Sequence, residues 1–418
     1  MQTVVVVGQG YVGLPLAMRA VEVGYRVVGH DLDESRVKRL AAGESYVEDI
    51  PDATLRSALA SGRYVATSEA AECEGFDYAV ITVPTPLKEG VPDLSFVESS
   101  ARALAPLLRP GATVVLESTT YPGTTRELLV PILEEGSGLL AGRDFMVGYS
   151  PERIDPGNRR WGLVNTPKVV SGIDERSKAS VKSFYDSIVE RTVPVSRPEE
   201  AEMVKLLENT FRHVNVALVN ELAMFAGDLG IDVWEAIDAA STKPFGFMRF
   251  TPGPGVGGHC LPVDPSYLSW QVKRRVGAPF RFVELANDIN DHMPHYVVRR
   301  LTLALNRQQR SVNGARVLLI GLAYKPNTGD ARESPALTVA ELLLDLGARV
   351  AAADPYVDPS VVDARVEMVE MDCAQLAAAD AVVVLTDHDA FDWSLLDSHD
   401  GYVFDTRFRV AGERVEHL

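Results

Sequence analysis

The sequence of 418 residues is poor in cysteine, with only three, and contains no long apolar run. Cys73, Cys260 and Cys373 form an odd, widely spaced set, which excludes a disulfide framework and favours a reducing, cytoplasmic location. No segment approaches the roughly 18–20 apolar residues that span a bilayer. Residues 1–8 lack the basic region of a signal peptide. We therefore expect neither disulfide bridges nor a membrane anchor.

Positive charge is also scarce. The chain has 41 Lys+Arg against 58 Asp+Glu, a formal net charge of −17. This balance argues against partners such as nucleic acid or an anionic membrane, which require a basic surface. Hydrophobic residues make up 46% of the chain, which excludes a disordered protein. The length predicts two or three domains.

The first part of the chain alternates short β-branched runs with helical stretches. This alternation is typical of a parallel sheet with helices on both faces, and nearly continuous apolar runs suit strands that are buried on both sides. The expected strands are residues 3–7, 26–29, 78–83, 113–116, 145–148 and 168–171. We assign this α/β domain to residues 1–197.

The same pattern restarts near residue 316. Residues 316–320, 349–353, 381–385 and 402–404 are expected as strands, and residues 335–346 as a helix. RVLLIGLAYK loosely repeats the opening VVVVGQGYVG but keeps only its first glycine, Gly321. We therefore expect two Rossmann-like doubly wound domains joined by a central helical domain of residues 198–308. The second copy, residues 309–418, should bind something other than a dinucleotide, or nothing.

One long helix is expected to open the central domain. Pro198 begins it, with Glu199 and Glu200 near the positive end of the helix dipole, and Gly227 and Gly230 mark its end. An apolar stripe at three- and four-residue spacing follows one face: Met203, Leu207, Phe211, Val214, Leu218, Leu222 and Phe225. Roughly the opposite face carries Lys205, Asn209 and Arg212. The stripe either covers the helix's own core or packs against a second copy of the chain.

A glycine motif between the first strand and the first helix predicts a dinucleotide site. Gly8-Gln9-Gly10-Tyr11-Val12-Gly13 supplies a tight turn, a close backbone approach to a pyrophosphate, and a helix N-terminus. The second strand ends near Asp31, about 20 residues further on, where a carboxylate would bind the ribose hydroxyls and repel a 2′-phosphate. We therefore predict NAD rather than NADP. Arg36 is either a phosphate or adenine contact or a solvated helix residue.

The segment PGPGVGGHCLPVDP, residues 252–265, is the strongest candidate for chemistry. Its glycines and prolines leave Cys260 little local covering, and a partly ionised cysteine is a strong nucleophile. Asp264 could act as a base or hold a water; the alternative is a structural cysteine in a turn. A metal at His259, Cys260 and Asp264 is disfavoured, because adjacent residues rarely face one ion. We expect no metal, and structural roles for Cys73 and Cys373.

Five motifs together resemble the nucleotide-sugar 6-dehydrogenases, the family of UDP-glucose, UDP-N-acetylmannosamine and UDP-N-acetylglucosamine dehydrogenases. In the family's order they are GQGYVGLP (8–15), STTYPGTT (118–125), SPERIDPG (150–157), KLLENTFRHVNVALVNELA (205–223) with PGPGVGGHCLPVDP, and GLAYKPNTGDARESPAL (321–337). The likeness covers essentially the whole chain. It implies a four-electron oxidation of the C6 alcohol of a nucleotide sugar to the uronic acid, using two NAD molecules in turn.

The resemblance also implies roles in the reaction. Cys260 would attack the C6 aldehyde to give a thiohemiacetal, and hydride loss would then give a thioester that water hydrolyses. Lys205 and Asn209 would stabilise the oxyanions, and Asp264 would be the base together with Lys205. Two further residues would position water near the reacting carbon: Glu152 and Thr119.

Binding residues follow from the same match. The implied NAD-binding set is Gly8, Gly10, Tyr11, Val12, Gly13, Asp31, Arg36, Thr85, Thr119 and Arg332. The implied substrate-binding set is Glu152, Arg153, Ile154, Lys205, Asn209, Arg212, Gly257, Tyr324 and Lys325. Tyr324 and Lys325 would grip the nucleotide, and Arg332 would reach the NAD site from the C-terminal domain. We expect five cations to converge on the cleft and offset the net negative charge locally: Arg153, Lys205, Arg212, Lys325 and Arg332.

The motifs favour the N-acetylhexosamine branch of the family. Val263 stands where UDP-glucose enzymes more usually carry a lysine, and residues 242–248 look like the UDP-N-acetylglucosamine branch. UDP-N-acetylmannosamine and UDP- or dTDP-glucose stay open as substrates, because Arg249 and Gly329 depart from the family's pattern.

Two rival functions have different requirements. A two-electron hydroxyacid dehydrogenase needs neither the cysteine nor the C-terminal nucleotide domain. A non-catalytic NAD-binding protein need not keep Lys205, Cys260 or Asp264, and all three are present. We expect an enzyme that acts as a homodimer.

Overall fold

The computed structural model describes the whole chain except residues 48, 89, 155–157, 159, 259, 260, 262, 398, 400 and 413 and the side chain of residue 397. The described residues form two compact units. The first comprises Met1–Glu208 and Trp270–Val276, and the second comprises Asn209–Ser269 and Gly277–Leu418. Each unit contains one large sheet.

The sheet of the first unit is parallel and six-stranded. The strands in this part of the chain are β1 (Thr3–Val7), β2 (Arg26–His30), β3 (Tyr64–Thr67), β4 (Tyr78–Ile81), β5 (Leu87–Lys88), β6 (Val91–Pro92), β7 (Thr113–Leu116), β8 (Met146–Tyr149), β9 (Lys168–Val170) and β10 (Thr192–Pro194). The sheet order is β3-β2-β1-β4-β7-β8. β5 and β6 form a small hairpin, and β9 and β10 a parallel pair.

Helices connect these strands and cover the sheet. They are α1 (Gly13–Glu22), α2 (Glu34–Ala41), α3 (Asp52–Ala60), α4 (Ser95–Leu104), α5 (Val130–Ser137) and α6 (Glu175–Ile188). The strand valines pack against α1 and α6 in a fully buried core. β-Branched residues suit such strands because they fill a pleated surface that is covered on both faces.

The remaining helices fall in the central and C-terminal parts of the chain. They are α7 (Pro198–Leu229), α8 (Val233–Ser241), α9 (Asp264–Val276), α10 (Arg281–Arg307), α11 (Pro335–Asp345), α12 (Cys373–Ala378) and α13 (Ser394–Asp397). The division between the two units falls within α7 and within α9. Among the described residues, no helix is both long and apolar enough to pass through a membrane.

The second sheet repeats the topology of the first. Its strands are β11 (Arg316–Ile320), β12 (Arg349–Ala353), β13 (Glu367–Met368), β14 (Ala381–Val384), β15 (Val403–Asp405) and β16 (Val415–His417). All pairs are parallel, in the order β13-β12-β11-β14-β15-β16. One core joins this sheet to parts of α7, α8, α10 and α11. The expected fold class, two doubly wound domains with a helical middle, is confirmed.

The strand predictions were wrong mainly at sheet edges. β3, β13 and β16 were missed because they are short or half exposed and carry little apolar signal. The strand expected at residues 145–148 is shifted by one residue, to Met146–Tyr149. The strand expected at residues 78–83 ends at Ile81, where the chain turns away after the sheet.

The long helix α7 is present, but the face that it buries is not the apolar stripe. The stripe does not cover the helix's own core, because six of its seven residues are exposed in the single chain: Met203, Leu207, Phe211, Leu218, Leu222 and Phe225. The helix instead buries a face of small and polar residues. That face includes Ala201, Lys205, Asn209, His213, Ala217 and Asn220.

Candidate functional site

The turn after β1 has the geometry of a dinucleotide-binding turn. Gly8 has φ +90°, and a Cβ there would lie 2.9 Å from the Thr82 carbonyl oxygen. A Cβ on Gly13 would lie 1.8 Å from the Gly8 carbonyl oxygen. Gly10 is different, because a Cβ there would meet no described atom within 4 Å. The fold therefore requires Gly8 and Gly13, while Gly10 leaves space beside the backbone for a ligand.

Acidic and basic groups lie beside this turn as dinucleotide recognition requires. Asp31 follows β2, and its Oδ2 accepts the backbone N–H of Gln9 at 2.8 Å. The Arg36 guanidinium lies 3.7 Å from the same oxygen and covers the Tyr46 ring. Tyr46 Oη in turn donates to the Gln9 carbonyl oxygen at 2.6 Å. These contacts fix the position of the Asp31 carboxylate next to the glycine turn.

The other predicted NAD contacts of the first unit lie in loops at the same sheet edge. Tyr11 is half exposed, and Val12 precedes α1, which no described side chain caps. Thr85 is buried in the segment after β4, and half-buried Thr119 follows β7. Because β1, β4 and β7 are adjacent, their carboxyl ends form one edge. The open Gly10, the uncapped helix start and the fixed carboxylate fit NAD.

A buried carboxylate that the sequence reasoning missed holds the loop containing Thr119. Glu202 of α7 accepts the backbone N–H groups of Gly123 at 2.6 Å and Thr125 at 2.8 Å, and the Thr125 hydroxyl at 2.7 Å. Burial raises the pKa of Glu202 to about 7, against these hydrogen bonds. A glutamate on the helix face that contains Lys205 was the available signal.

Lys205 and Glu152, both predicted from the resemblance, are in direct contact. Lys205 Nζ donates to the main-chain carbonyl oxygen of Glu152 at 2.7 Å, and both residues are buried. Glu152 Oε1 accepts the backbone N–H of Ile154. Residues 205 and 152 are far apart in sequence, so this contact arises only from the fold of the first unit.

Glu152 also belongs to a buried cluster that sequence reasoning missed. Lys168, at the start of β9, donates to Glu117 Oε1 and lies 3.5 Å from Glu152 Oε2. Tyr185 Oη donates to Glu117 Oε2 at 2.7 Å. Among the described residues Glu152 Oε2 is buried without a hydrogen-bond partner, so its contact with Lys168 is an ion pair alone. We call Glu117, Lys168 and Glu152 the buried triad.

The protonation of the buried triad follows from its charges. Burial raises the pKa of Glu117 to about 7, although the Lys168 charge opposes this. Burial alone would also raise the pKa of Glu152, but Lys168 and Lys205 hold it below its ordinary value. Burial would lower the pKa of Lys168, but the two carboxylates raise it. Near neutral pH, Glu152 and Lys168 are therefore charged, and Glu117 carries a proton part of the time.

The Arg153 side chain is bound by two other residues of the first unit. Its guanidinium pairs with Glu208 at 2.6 Å and donates to the Pro167 carbonyl oxygen at 2.5 Å. Ile154 lies beside it, half buried, and residues 155–157 of the SPERIDPG motif lie outside the described residues.

In the second unit, three predicted residues form a hydrogen-bonded chain. Arg212 donates to Asn209 Oδ1 at 2.6 Å, and the Asn209 amide donates to Asp264 Oδ2. Asn209 and Asp264 are buried, whereas Arg212 is exposed. The Asn209 amide therefore fixes the position of the Asp264 carboxylate.

Two distant motifs of the second unit also meet. A Cβ on Gly257 would lie 2.6 Å from Tyr324 Cβ, and one on Gly258 would lie 2.7 Å from the Tyr324 ring. The Gly258 N–H donates to the Arg332 carbonyl oxygen at 3.1 Å. Gly257 is therefore required for packing against Tyr324. Lys325 is half buried, and exposed Arg332 pairs with Asp330 at 2.6 Å.

The predicted nucleophile, Cys260, and its neighbour His259 lie outside the described residues. The other two cysteines are free thiols. Cys73 is buried, and burial raises its pKa to about 11, which makes it a poor nucleophile. Cys373 is exposed at the start of α12.

The two departures from the family's pattern have local structural reasons. Arg249 pairs with Asp238 of α8 at 2.7 Å. A Cβ on Gly329 would lie 2.5 Å from the Tyr356 carbonyl oxygen, so an acidic residue does not fit there without a backbone shift.

The second sheet differs from the first at the dinucleotide position. Asp354, after β12, accepts the N–H groups of Leu322 at 2.6 Å and Ala323 at 3.1 Å, just after β11. His388 Nε2 lies 3.0 Å from the same carboxylate. α11 begins only at Pro335, and Ser334 caps it. In a Rossmann turn, free N–H groups and a helix that starts directly after the strand hold the pyrophosphate. In the second sheet the Asp354 carboxylate binds the N–H groups after β11, and the helix starts later.

The dinucleotide turn on the first sheet places the chain in the class of NAD-binding Rossmann proteins, and the second doubly wound sheet lacks that turn. The chain belongs to the UDP-glucose/GDP-mannose dehydrogenase family. The family's NAD binding domain matches residues 2–189, its central domain residues 199–292, and its UDP binding domain residues 318–411. The protein is an NAD-dependent nucleotide-sugar 6-dehydrogenase, which decides against both rival functions.

Several relatives are named as dehydrogenases of UDP-N-acetylhexosamines. The chain is 38% identical to the UDP-N-acetyl-D-mannosamine dehydrogenase of Pyrococcus horikoshii, covering 93% of this chain and 90% of that protein. It is 36% identical to the UDP-N-acetyl-D-glucosamine 6-dehydrogenase of Pseudomonas aeruginosa, covering 93% and 91%. The solved structure of the P. horikoshii UDP-D-ManNAc dehydrogenase matches with a TM-score of 0.91 at 35% identity, covering 100% and 99%.

Proposed function

We propose that the protein oxidises the C6 alcohol of UDP-N-acetylglucosamine to the carboxylate through a covalent thioester on Cys260. The observation that carries this proposal is the buried contact between the Asn209 amide and the Asp264 carboxylate, four residues after the cysteine. Addition of a thiol to an aldehyde requires a donor that stabilises the oxyanion and a base near the thiol. The Asn209 amide is the candidate donor, and Asp264, four residues after Cys260, is the candidate base.

In the proposed mechanism the C6 alcohol first loses its hydroxyl proton to a base, for which Asp264 is the candidate, and a hydride from C6, which gives the aldehyde. The Cys260 thiolate then adds to the aldehyde carbon, and Lys205 and Asn209 stabilise the oxyanion. Loss of hydride gives the thioester, and water held by Glu152 hydrolyses it. NAD, held by the Gly8–Gly13 turn and Asp31, supplies the hydride acceptor for both oxidations. A free thiol is essential, so the enzyme requires a reducing compartment.

The choice of sugar rests on two observations. Residues 242–248 resemble the glucosamine branch, and a relative that acts on the glucosamine sugar is 36% identical. Relatives named as UDP-N-acetyl-D-mannosamine dehydrogenases are 38% and 36% identical, so sequence identity does not favour the glucosamine sugar, and UDP-N-acetylmannosamine is the second candidate. Arg249 next to this segment is bound by Asp238, which leaves the segment without a free cation from that residue.

The test is an assay of NADH release against UDP-N-acetylglucosamine, UDP-N-acetylmannosamine, UDP-glucose and dTDP-glucose. We expect two NADH per sugar and the highest kcat/KM for UDP-N-acetylglucosamine. One NADH per sugar would contradict the four-electron reaction, and a preference for another sugar would replace only the substrate.

The role of Cys260 is tested separately by Cys260→Ser. We expect this variant to bind NAD and the sugar nucleotide with parental affinity but to form little acid, because serine is a much weaker nucleophile. Acid production at the parental rate would contradict the thioester mechanism. Cys73→Ser is the matched control, since that thiol is buried in the first unit.

We further propose that the protein is a homodimer whose interface includes the exposed stripe of α7. Large apolar residues repeated along one exposed helix face are unusual on a monomer and are typical of an interface. Phe282 and Leu285 of α10 are also exposed in the single chain.

A further inference from the structure

The buried triad has a composition that simple packing does not explain. Glu117 follows β7, Glu152 follows β8, and Lys168 begins β9, so three separate segments place their charges together. The side chains of Glu117 and Lys168 are 0% and 4% exposed. One buried ion pair already costs desolvation free energy, and a second buried carboxylate adds to that cost, which indicates a functional reason for its presence.

Only Glu152 extends from this cluster toward solvent, with a side chain that is 10% exposed. Its Oε1 is fixed by the Ile154 N–H and its main chain by Lys205. Its Oε2 faces Lys168 without a hydrogen bond among the described residues, which leaves a lone pair for a water. A carboxylate with one oxygen fixed by a hydrogen bond and the other buried without a hydrogen-bond donor is suited to bind a buried water and accept a proton from it.

We propose that Lys168 is a positioning residue for the oxidation, which keeps Glu152 ionised and oriented toward the hydrolytic water while Glu117 takes up the proton that the triad shares. The inference rests on the proposed function, because that function supplies the thioester to be hydrolysed.

Water adds to the thioester carbon and gives one proton to the Glu152 carboxylate. The C–S bond breaks, the sulfur leaves as the Cys260 thiolate, and the product is the carboxylic acid. Lys168 takes part only through its charge on Glu152.

The charged and titratable groups that face Glu152 come from several elements. They are Lys168 of β9, Glu117 after β7, Lys205 of α7 and Tyr185 of α6. Arg153 turns away to Glu208. Lys168 is the one cation that contacts the Glu152 carboxylate within 4 Å among the described residues. Lys205 contacts its main chain instead.

The test compares Lys168→Met with Lys168→Arg, in the full-length enzyme with NAD and its preferred sugar. For Lys168→Met we expect a first turnover that still releases two NADH, followed by a steady-state rate lower by about tenfold to a hundredfold. Intact-protein mass spectrometry of the acid-quenched enzyme should show an acyl adduct. The acid limb of the kcat profile should move up by about one pH unit, because Glu152 loses its cation. Lys168→Arg should restore most of the rate and the parental limb.

Glu117→Gln distinguishes loss of the Lys168 charge from general damage to the buried triad, because it alters the triad but retains Lys168. We expect its acid limb to stay in place or move to lower pH, with no acyl adduct. An upward shift like that of Lys168→Met would overturn the proposal, and so would a Lys168→Met enzyme with the parental limb and no adduct. If Lys168→Met does not fold, the acid limbs of the other two variants test the proposal. We expect the parental limb for Lys168→Arg, and an upward shift of the limb in Glu117→Gln would overturn the proposal.

Failure of the proposed function is recognised in the parent enzyme. A parent that releases no more than one NADH from every sugar overturns the four-electron reaction. A parent with two NADH per sugar, combined with a Lys168→Met enzyme without adduct, overturns only the role of Lys168.

Discussion

The three glycines of the dinucleotide turn have different reasons to be glycine. At Gly8 and Gly13 a Cβ would collide with backbone oxygens, at 2.9 and 1.8 Å. At Gly10 no described atom lies within 4 Å of a Cβ. Folding alone therefore does not explain Gly10, and we propose that the pyrophosphate of NAD approaches the backbone in this open space.

Gly10→Ala should leave the fold intact but weaken NAD binding by about tenfold or more, because the methyl group occupies the ligand's space. The measurement is the Kd for NAD by calorimetry, together with the Tm of the NAD-free protein. Gly13→Ala is the matched comparison and should lower the Tm itself. Unchanged NAD affinity in a folded Gly10→Ala protein would contradict the assigned NAD position.

Asp354 shows how one buried carboxylate makes stability depend on pH. Burial alone would raise the pKa of Asp354, but the hydrogen bonds from His388 and from backbone N–H groups lower it to about 2. Because the folded pKa lies below the ordinary value of 3.8, the stabilisation is complete above pH 3.8 and is lost as the pH falls through 2. The side chain is fully buried, so the shift corresponds to about 2 kcal/mol.

Asp354→Asn should therefore lower the free energy of unfolding by about 2 kcal/mol at pH 7. Urea titrations of both proteins at pH 7, 4 and 3 measure the difference, which should shrink over the lowest pH values as the parent loses the carboxylate's contribution. A difference that stays constant down to pH 3 would contradict the role of ionised Asp354. Asp358→Asn, at an exposed position, is the control and should change little.

At the scale of elements, α7 and α10 are joined by a buried polar network. Asn220 accepts the Gly253 N–H at 2.9 Å and donates to Asn290 Oδ1 at 2.9 Å. His213 continues the network to Asn287 at 2.7 Å. Burial lowers the pKa of His213, so this histidine is neutral in the fold near neutral pH. The network anchors the start of the segment that contains Cys260.

Asn220→Ala should lower the free energy of unfolding by about 2–4 kcal/mol, because it leaves two buried groups without partners. It should also lower kcat more than it raises the KM for NAD, because the anchored segment belongs to the second unit, whereas the dinucleotide turn belongs to the first. Chemical unfolding and steady-state kinetics measure both effects. Asn215→Ala removes a bond to Phe211 within the same helix and should cost less than about 0.5 kcal/mol. Equal losses in the two variants would contradict the anchoring role.

The sequence pattern could locate α7 but not its buried face. Periodicity shows that large apolar residues share one face, and it gives the same signal whether that face meets the chain's own core or another molecule. The structure buries the opposite face because alanine and hydrogen-bonded polar residues allow close packing there. The spacing grouped Lys205 and Asn209 on one face and the family resemblance gave them roles, whereas Asn220 and His213 had no motif to reveal their partners.

At the scale of the whole molecule, the proposed dimer predicts a defined assembly. Leu222 and Phe225 of α7 are 48% and 56% exposed in the single chain. Replacing both with glutamate should convert a dimer, twice the 45.5 kDa chain mass, into a monomer, because buried unpaired charges oppose association. Sedimentation velocity measures the change. Val361→Glu, equally exposed but outside the stripe, should remain dimeric. A monomeric parent protein would contradict the interface.

The sequence by itself determined the local features: the glycine turn and its acidic partner, the buried strands, the long helix, and the motifs that identify the family. These depend on neighbouring residues, because turn geometry, periodicity and capping act over a few positions. Only the tertiary structure decided which distant side chains meet. The contact of Lys205 with Glu152, the buried triad, the Asn220 network and the packing of Gly257 on Tyr324 join residues from separate segments. Their free energies depend on burial and distance, and those quantities exist only once the chain has folded.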